Sequence, residues 1–320
     1  MTLFQRIIDM FSRELEAHGR AFLNYEALAQ VEVKDMTIDG FPAKLFFNPA
    51  RVRSVMADVS PEALQKRACF LCPDGLEPLQ LTTIWDSPTG QTYFIRVNPF
   101  PIFNHHFTIS SAIHERQTFA PHMESMLHLA EAMPEMSIFY NGPMCGASAP
   151  DHMHFQAVPR HSMPIEEYFS TNYANAVLVQ ESDLQSHLAT LEKVLSMASI
   201  PENASQTGSL TAGASHTKEW EPRWNIISWY EPESNSPQDG LTTTNGLTSN
   251  SCRRSFNTIV FFRRESRPQC FFAPENERIL FSPGTVEMGG IGIVANRESF
   301  DRITPEVLRS MIQEVADKIV

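Results

Sequence analysis

Residues 145–159 read CGASAPDHMHFQAVP, and the fold turns on the segment His152-Met-His154-Phe-Gln156 within them. Successive side chains of a β-strand point to opposite faces. As a strand, this segment puts His152, His154 and Gln156 on one face and Met153, Phe155 and Ala157 on the other, apolar one. The preceding loop contains Gly142, Gly146, Ala147, Ser148 and Ala149. Small residues let backbone N–H groups come close to an anion, although a plain tight turn has the same composition. Beside an imidazole row, Gly146 and Ser148 are candidate phosphate contacts, and the pairing points to attack on phosphorus. Neutral His154 can form a covalent phosphoramidate, dividing one displacement into two. Gln156 can donate its amide to a phosphoryl oxygen. Cys145 is a rival nucleophile with His154 as its base, a weaker one because a cysteine among small loop residues more often packs. Asp151 reads either as an acid that orients a histidine or as a solvated loop residue.

Outward from this segment, strand signals dominate residues 80–160: LTTIWD, TYFIRV, FTIS and SIFYN are short β-branched or aromatic runs between Pro, Gly and Asn. FAPHMESMLHLAEAMPE interrupts them with Met123, Met126, Leu127 and Ala130 at helical spacing, a pattern of core packing. An opening helix ends near Gly19, and AKLFFNPARVRS reads as a strand and a turn. Ser60-Pro61 starts a short helix that leads into CFLC. MPIEEYF and DLQSHLATLEKVLSMA read as helical. Residues 201–252 are rich in Ser, Thr, Asn, Gly and Pro around the island WEPRWNIISWYEP, so their flanks read as flexible loops. FNTIVFFRR, PQCFFAP, RILFSPG and GGIGIVAN are strand-like, and Thr304 caps a closing helix. The expected organisation is a helical or mixed segment over 1–44, a catalytic half over 45–200, a flexible insertion over 201–252 and a second β-rich half over 253–320. The class is α+β, with the two β-rich blocks as copies of one unit.

Cys69 and Cys72 in CFLC have the spacing of half a tetrahedral zinc site; a redox dithiol or two buried thiols is the alternative. His152 is a good third ligand, since His154 is reserved for chemistry. His114 is the strongest fourth and His106 the runner-up. A closed Cys2His2 site is structural, with no position left for catalytic water.

Composition bounds the partners. The 320-residue chain carries a net charge of −12, which disfavours a nucleic-acid polymer but leaves room for a small phosphorylated ligand held by a few local donors. Five cysteines argue against a secreted disulfide framework. No apolar run is long enough to cross a bilayer, and the charged amphipathic start is unlike a signal peptide, so a soluble, cytoplasmic protein is expected. Arg51 and Arg53 either meet phosphates or face water. Arg263, Arg264 and Arg267 form a basic cluster at a strand end, a solvated cluster or a phosphate clamp. Ser282, Glu287, Gly289 and Gly290 are read as a turn lining the same cleft.

The H-x-H-x-Q pattern after a small-residue loop resembles the histidine-triad (HIT-like) superfamily. The branch is that of galactose-1-phosphate uridylyltransferase, diadenosine tetraphosphate phosphorylase and GDP-hexose phosphorylase; HMHFQA is most similar to the last. NPFPIFNHHFTISSAIHERQ runs parallel to the family's Asn-Pro, aromatic, turn-with-His and strand pattern. GASAPDHMHFQA further resembles a bacterial DUF4922-type family, and ILFSPGTVEMGGIGIVANRESF resembles the degenerate second half of larger members. The resemblance implies a HIT-like antiparallel sheet with flanking helices, duplicated. It implies zinc on Cys69, Cys72, His114 and His152, His154 as nucleophile, Gln156 in place of the last histidine of hydrolases, and nucleotide contacts at Asn98. It implies a nucleotidyltransferase or phosphorylase acting on a nucleoside diphosphate-sugar or dinucleoside polyphosphate, with phosphate or a sugar phosphate as acceptor. A zinc-stabilised nucleotide-binding module without turnover and a nucleotide hydrolase are the alternatives. Asp151 departs from the family as an extra residue before the first histidine.

Overall fold

The computed structural model describes residues 1–52, 56, 58–198, 221–233 and 254–317; Arg53 and most of the 201–252 stretch lie outside them. Helix α1 (Leu3–Glu16) opens the chain. Thr2 caps it by accepting from the Gln5 N–H while the Gln5 side chain accepts from the Thr2 N–H. After α2 (Arg20–Glu26), strands β1 (Glu32–Ile38) and β2 (Phe41–Phe47) form a hairpin. A 3-10 turn at Pro49–Arg51 and the short α3 (Pro61–Lys66), capped by the Ser60 hydroxyl, lead to the cysteine arm.

The middle of the chain supplies β3 (Thr83–Asp86), β4 (Thr92–Val97), β5 (Phe107–Ser111), α4 (Met123–Ala132), β6 (Met136–Asn141) and β7 (His154–Pro159). Then come α5 (Thr171–Ala174), β8 (Ala176–Glu181), α6 (Leu184–Ser196), β9 (Trp224–Glu231) and β10 (Ser255–Phe262). The last part holds α7 (Thr285–Met288), β11 (Ile291–Val294), α8 (Arg297–Arg302) and α9 (Pro305–Val315).

Two sheets result. Eight strands form one antiparallel sheet in the order β3-β4-β5-β7-β6-β9-β10-β8. A smaller sheet, β1-β2-β11, pairs β2 with β11 in parallel. The large sheet is buried on both faces. Tyr93, Ile109, Met153, Phe155 and Ala157 pack with Ile7, Met10, Met126 and Leu191 of the helices. On the opposite face, Phe139, Val158, Ile227 and Ile259 meet Leu45 and Ile293 of the small sheet and Leu308 and Ile312 of α9. The fold is α+β, a large antiparallel sheet with flanking helices.

Four segments differ from their sequence reading. The island in the expected flexible insertion is β9, paired with both β6 and β10 through almost wholly buried residues; the 201–252 interval is therefore not an insertion throughout. PQCFFAP holds a 3-10 turn (Gln269–Phe271) and RILFSPG is no strand, although Ile279 and Phe281 are buried. Short apolar runs signal burial without specifying pairing. MPIEEYF makes a single 3-10 turn (Pro164–Glu166), because the Glu166 carboxylate folds back to accept from the Met163 N–H.

Candidate active site

The alternating row lies as its period requires. Met153, Phe155 and Ala157 are fully buried in the helix-side core, while His154 and Gln156 face a cavity of about 520 Å³ on the other side. Strand β7 starts at His154. His152 and Met153 precede it, held by bonds from the Ser111 N–H to the Met153 carbonyl and from the Met153 N–H to the Glu115 carbonyl, 2.9 and 2.7 Å.

His154 is buried, and its Nδ1 donates to the His152 carbonyl at 2.8 Å. That bond fixes the tautomer with the proton on Nδ1 and the lone pair on Nε2. Burial lowers its pKa to about 4, so the ring is neutral near pH 7. Gln117 braces the backbone behind it: its side-chain oxygen accepts from the His154 N–H at 2.8 Å, and its amide donates to the Asn141 and His154 carbonyls.

Gln156 is oriented by His106. The Ile102 N–H donates to His106 Nδ1 at 3.2 Å, leaving Nε2–H to donate to Gln156 Oε1 at 2.8 Å. Burial, with Arg51 adding to it, lowers the His106 pKa to about 3, so this donor keeps its tautomer. Asn98 Nδ2 also points to Gln156 Oε1, at 3.4 Å. With its oxygen spoken for, Gln156 offers only N–H groups to a ligand.

Gly146, Ser148, Asn98 and Arg267 line the same cavity, as do Ser282 and Glu287. Gly146 adopts φ +95°, and a Cβ there would lie 2.7 Å from Gly284 Cα, so the loop can approach the 283–285 segment only as glycine. Arg263 does not line the cavity. It is buried, donating to Asn225 Oδ1 at 2.6 Å and to the carbonyls of Pro283, Glu265 and Ser266. Asn225 in turn donates to the Cys145 carbonyl and to Asn141 Oδ1, which accepts from Thr285. Arg263 is thus neither solvated nor a phosphate contact but a brace behind the small-residue loop, while Arg267 of the same cluster lines the cavity. Cys145 is wholly buried and burial pushes its thiol up to about 11, which removes it as a rival nucleophile.

The metal ligand set assembles. Donor atoms of Cys69, Cys72, His114 and His152 all lie within 4.8 Å of one another. His152 Nδ1 is 3.2 Å from Cys69 Sγ and 3.5 Å from Cys72 Sγ, and His114 Nδ1 is 3.3 Å from Cys72 Sγ. A tetrahedral ion with bonds of about 2.3 Å to sulfur and 2.0 Å to nitrogen needs sulfur–nitrogen edges of roughly 3.5 Å, so this group could bind a metal. His152 Nε2 donates to the Ser111 carbonyl at 2.9 Å, turning Nδ1 to the cluster. Gly75 closes the arm, since a Cβ there would fall on the Cys69 carbonyl and 2.8 Å from Phe70 Cα. His106, the runner-up ligand, is spent on Gln156.

Several site residues carried little sequence signal. Arg51 lines the cavity and donates to the Phe100 carbonyl at 2.5 Å. Arg96 lines it too, bonded to the Leu71 carbonyl at 2.7 Å and to Thr82 Oγ1 at 3.0 Å. Arg67, from the arm, pairs with Asp151. The roles of His106 and Arg67 depend on long-range pairing that no local spacing reports.

Residues 10–159 match the family model described as a domain of unknown function (DUF4922). No curated protein matches the chain. The solved structures it resembles include yeast Ap4A phosphorylase Apa2, with 13% identity over 99% of both chains and a TM-score of 0.56. The same enzyme in complex with Ap4A gives a TM-score of 0.56 at 13% identity, over 99% of this chain and 98% of that one. Its complex with AMP gives 0.50 at 13% identity, over 95% and 96%. At this identity the likeness is one of fold.

Proposed function

We propose that the chain is a nucleotidyltransferase of the phosphorylase type, acting on a dinucleoside polyphosphate or a nucleoside diphosphate-sugar. The observation that carries this reading is the bond from His154 Nδ1 to the His152 carbonyl, which leaves a neutral Nε2 lone pair beside the amide of Gln156. His154 Nε2 attacks the α-phosphorus, a P–N bond forms, and the P–O bond to the leaving group breaks with its electron pair on oxygen. An oxygen of phosphate or of a sugar phosphate then attacks the same phosphorus, and the P–N electron pair returns to Nε2. Gln156 donates to the equatorial oxygens throughout, and Ser148, Gly146, Asn98 and Arg267 hold the flanking phosphates. That the fold is shared with an enzyme whose structures are described with Ap4A and with AMP adds support for a nucleotide ligand.

Zinc fits the Cys69, Cys72, His114 and His152 set by donor type and separation, and there it would supply structural cross-linking. No step needs it. A hydrolase is disfavoured because Gln156 has no proton to give or take. The test is mass spectrometry of the zinc-loaded chain after mixing with Ap4A or GDP-hexose. A nucleotidyl adduct is expected that His154→Ala lacks; an adduct retained in that variant would sink the mechanism.

A further inference from the structure

Arg96 is a cation built into the sheet. It is only 3% exposed, yet it lines the cavity. On β4 it stands opposite Thr108 of β5, which stands opposite Gln156 of β7, so the three side chains share the cavity face. The next pair along that face is Ser110 and His154. Arg96 Nη1 lies 3.4 Å from Ser110 Oγ, which leans the guanidinium toward the strand neighbour of His154.

The group is held from behind. Nε donates to Thr82 Oγ1 at 3.0 Å and Nη1 to the Leu71 carbonyl at 2.7 Å. Nη2 has no hydrogen-bond partner among the described residues. Nor does Arg96 form an ion pair with a carboxylate among them; the opposite charges that act on it are the Cys72 and Cys69 sulfurs. An arginine keeps its charge in any surroundings, and a buried charge without a counter-charge is costly. Leu71 lies inside the CFLC turn, so the carbonyl that holds Arg96 belongs to the backbone that a metal on Cys69 and Cys72 would close. A dication on two thiolates and two neutral imidazoles carries no net charge. A loaded cluster therefore fixes the Leu71 carbonyl and withdraws the counter-charge from Arg96. Both effects leave Nη2 to be satisfied from the cavity.

We propose that Arg96 is a phosphate-binding residue controlled by the metal site. With the cluster loaded, its Nη2 takes an oxygen of the phosphate that accepts the nucleotidyl group. The inference rests on the transferase reading for the identity of that anion. The coupling is reciprocal, so phosphate tightens the metal by the factor that the metal tightens phosphate.

The test is titration of the full chain with inorganic phosphate, followed by phosphorus NMR, in the zinc-loaded form and after chelation. Loading should tighten phosphate at least about fivefold. Arg96→Gln should bind phosphate about tenfold more weakly than the parent when both are loaded, and chelation should then make no further difference. Zinc content and melting temperature are followed in each form. Arg96→Lys, a point charge without the fork that spans Leu71 and a ligand, should also bind more weakly, and it stands in should Arg96→Gln fail to fold. Parent-like phosphate binding in the loaded variants, a parent indifferent to zinc, or a zinc dependence that survives Arg96→Gln would overturn the inference. The His154 adduct forms from nucleotide alone. A chain that makes the adduct without Arg96-dependent phosphate binding keeps the transferase reading, and one that binds phosphate through Arg96 without making the adduct loses only that reading.

Discussion

Arg67 Nη2 lies 2.5 Å from Asp151 Oδ1, so the arm that carries both cysteines is tied by charge to the residue just before His152. Asp151 thereby links the cysteine arm to the His152–His154 segment and, through Arg67, to the cavity wall. Both side chains are about a fifth exposed, which limits the pair to roughly 1 kcal/mol. Asp151→Asn should therefore retain one metal per chain and raise the nucleotide Kd about fivefold, measured by metal analysis and calorimetry. Loss of metal with unchanged affinity would assign the pair to the cluster instead.

The Ile102–His106–Gln156 chain predicts a positioning role for His106. His106→Ala frees the glutamine amide to rotate, so kcat should fall about 10- to 100-fold with little change in KM. Gln156→Glu, which accepts where the reaction needs a donor, should cost at least as much. A rise in KM alone for His106→Ala would show that the residue serves binding and not the transfer step.

Metal analysis should find one zinc per chain. Cys72→Ala or chelation should lower the melting temperature by about 10 °C or more, since the energy of a structural zinc is folding energy. Gly75→Ala should do the same without removing a ligand side chain, because its Cβ has no room beside the Cys69 backbone. An apo chain that melts like the loaded one would contradict a structural metal.

Glu221 gives stability a pH dependence. It accepts from the Phe119 N–H at 2.7 Å and from the Tyr140 hydroxyl, and burial raises its pKa from 4.5 to about 7. The folded state thus holds a proton that the unfolded chain releases. The stability is fully present below about pH 4.5 and is lost as pH rises through about 7, at up to roughly 1.4 kcal/mol per pH unit. Glu14, likewise raised by burial to about 7, acts in the same direction. Glu221→Gln should gain on the parent chain more at pH 8 than at pH 5 in thermal melts. Parallel pH curves for the two proteins would refute this.

Period and spacing made the centre of the site legible. Alternation alone put His154 and Gln156 on one face, and CxxC with two histidines named the cluster. The surroundings were not legible, for physical reasons. Arg263 sits in an Arg-rich run that reads as surface, yet its guanidinium is buried and donates to Asn225 and Pro283 from distant segments as well as to the nearby Glu265 and Ser266 carbonyls. His106 and His105 are adjacent histidines, and only the path of the 98–106 turn decides which one meets Gln156. Ile279 and Phe281 read as strand because apolar runs report burial, whereas their backbone is bent to bring Ser282 and Gly284 over the cavity.

The parallel pairing of β2 with β11 has a consequence for the order of assembly. Arg51 follows β2, Ile293 lies in β11, and both line the cavity with Thr285 and Glu287. Residues separated by some 240 positions in sequence thus close one chamber around His154, near the midpoint. Contacts of such long range form late, after local hairpins and helices have set. A chain emerging from the ribosome will have His154 and the cysteine arm folded while the chamber still stands open. Competence to hold a ligand will come only when β11 docks, so nucleotide capture during synthesis reports that final step.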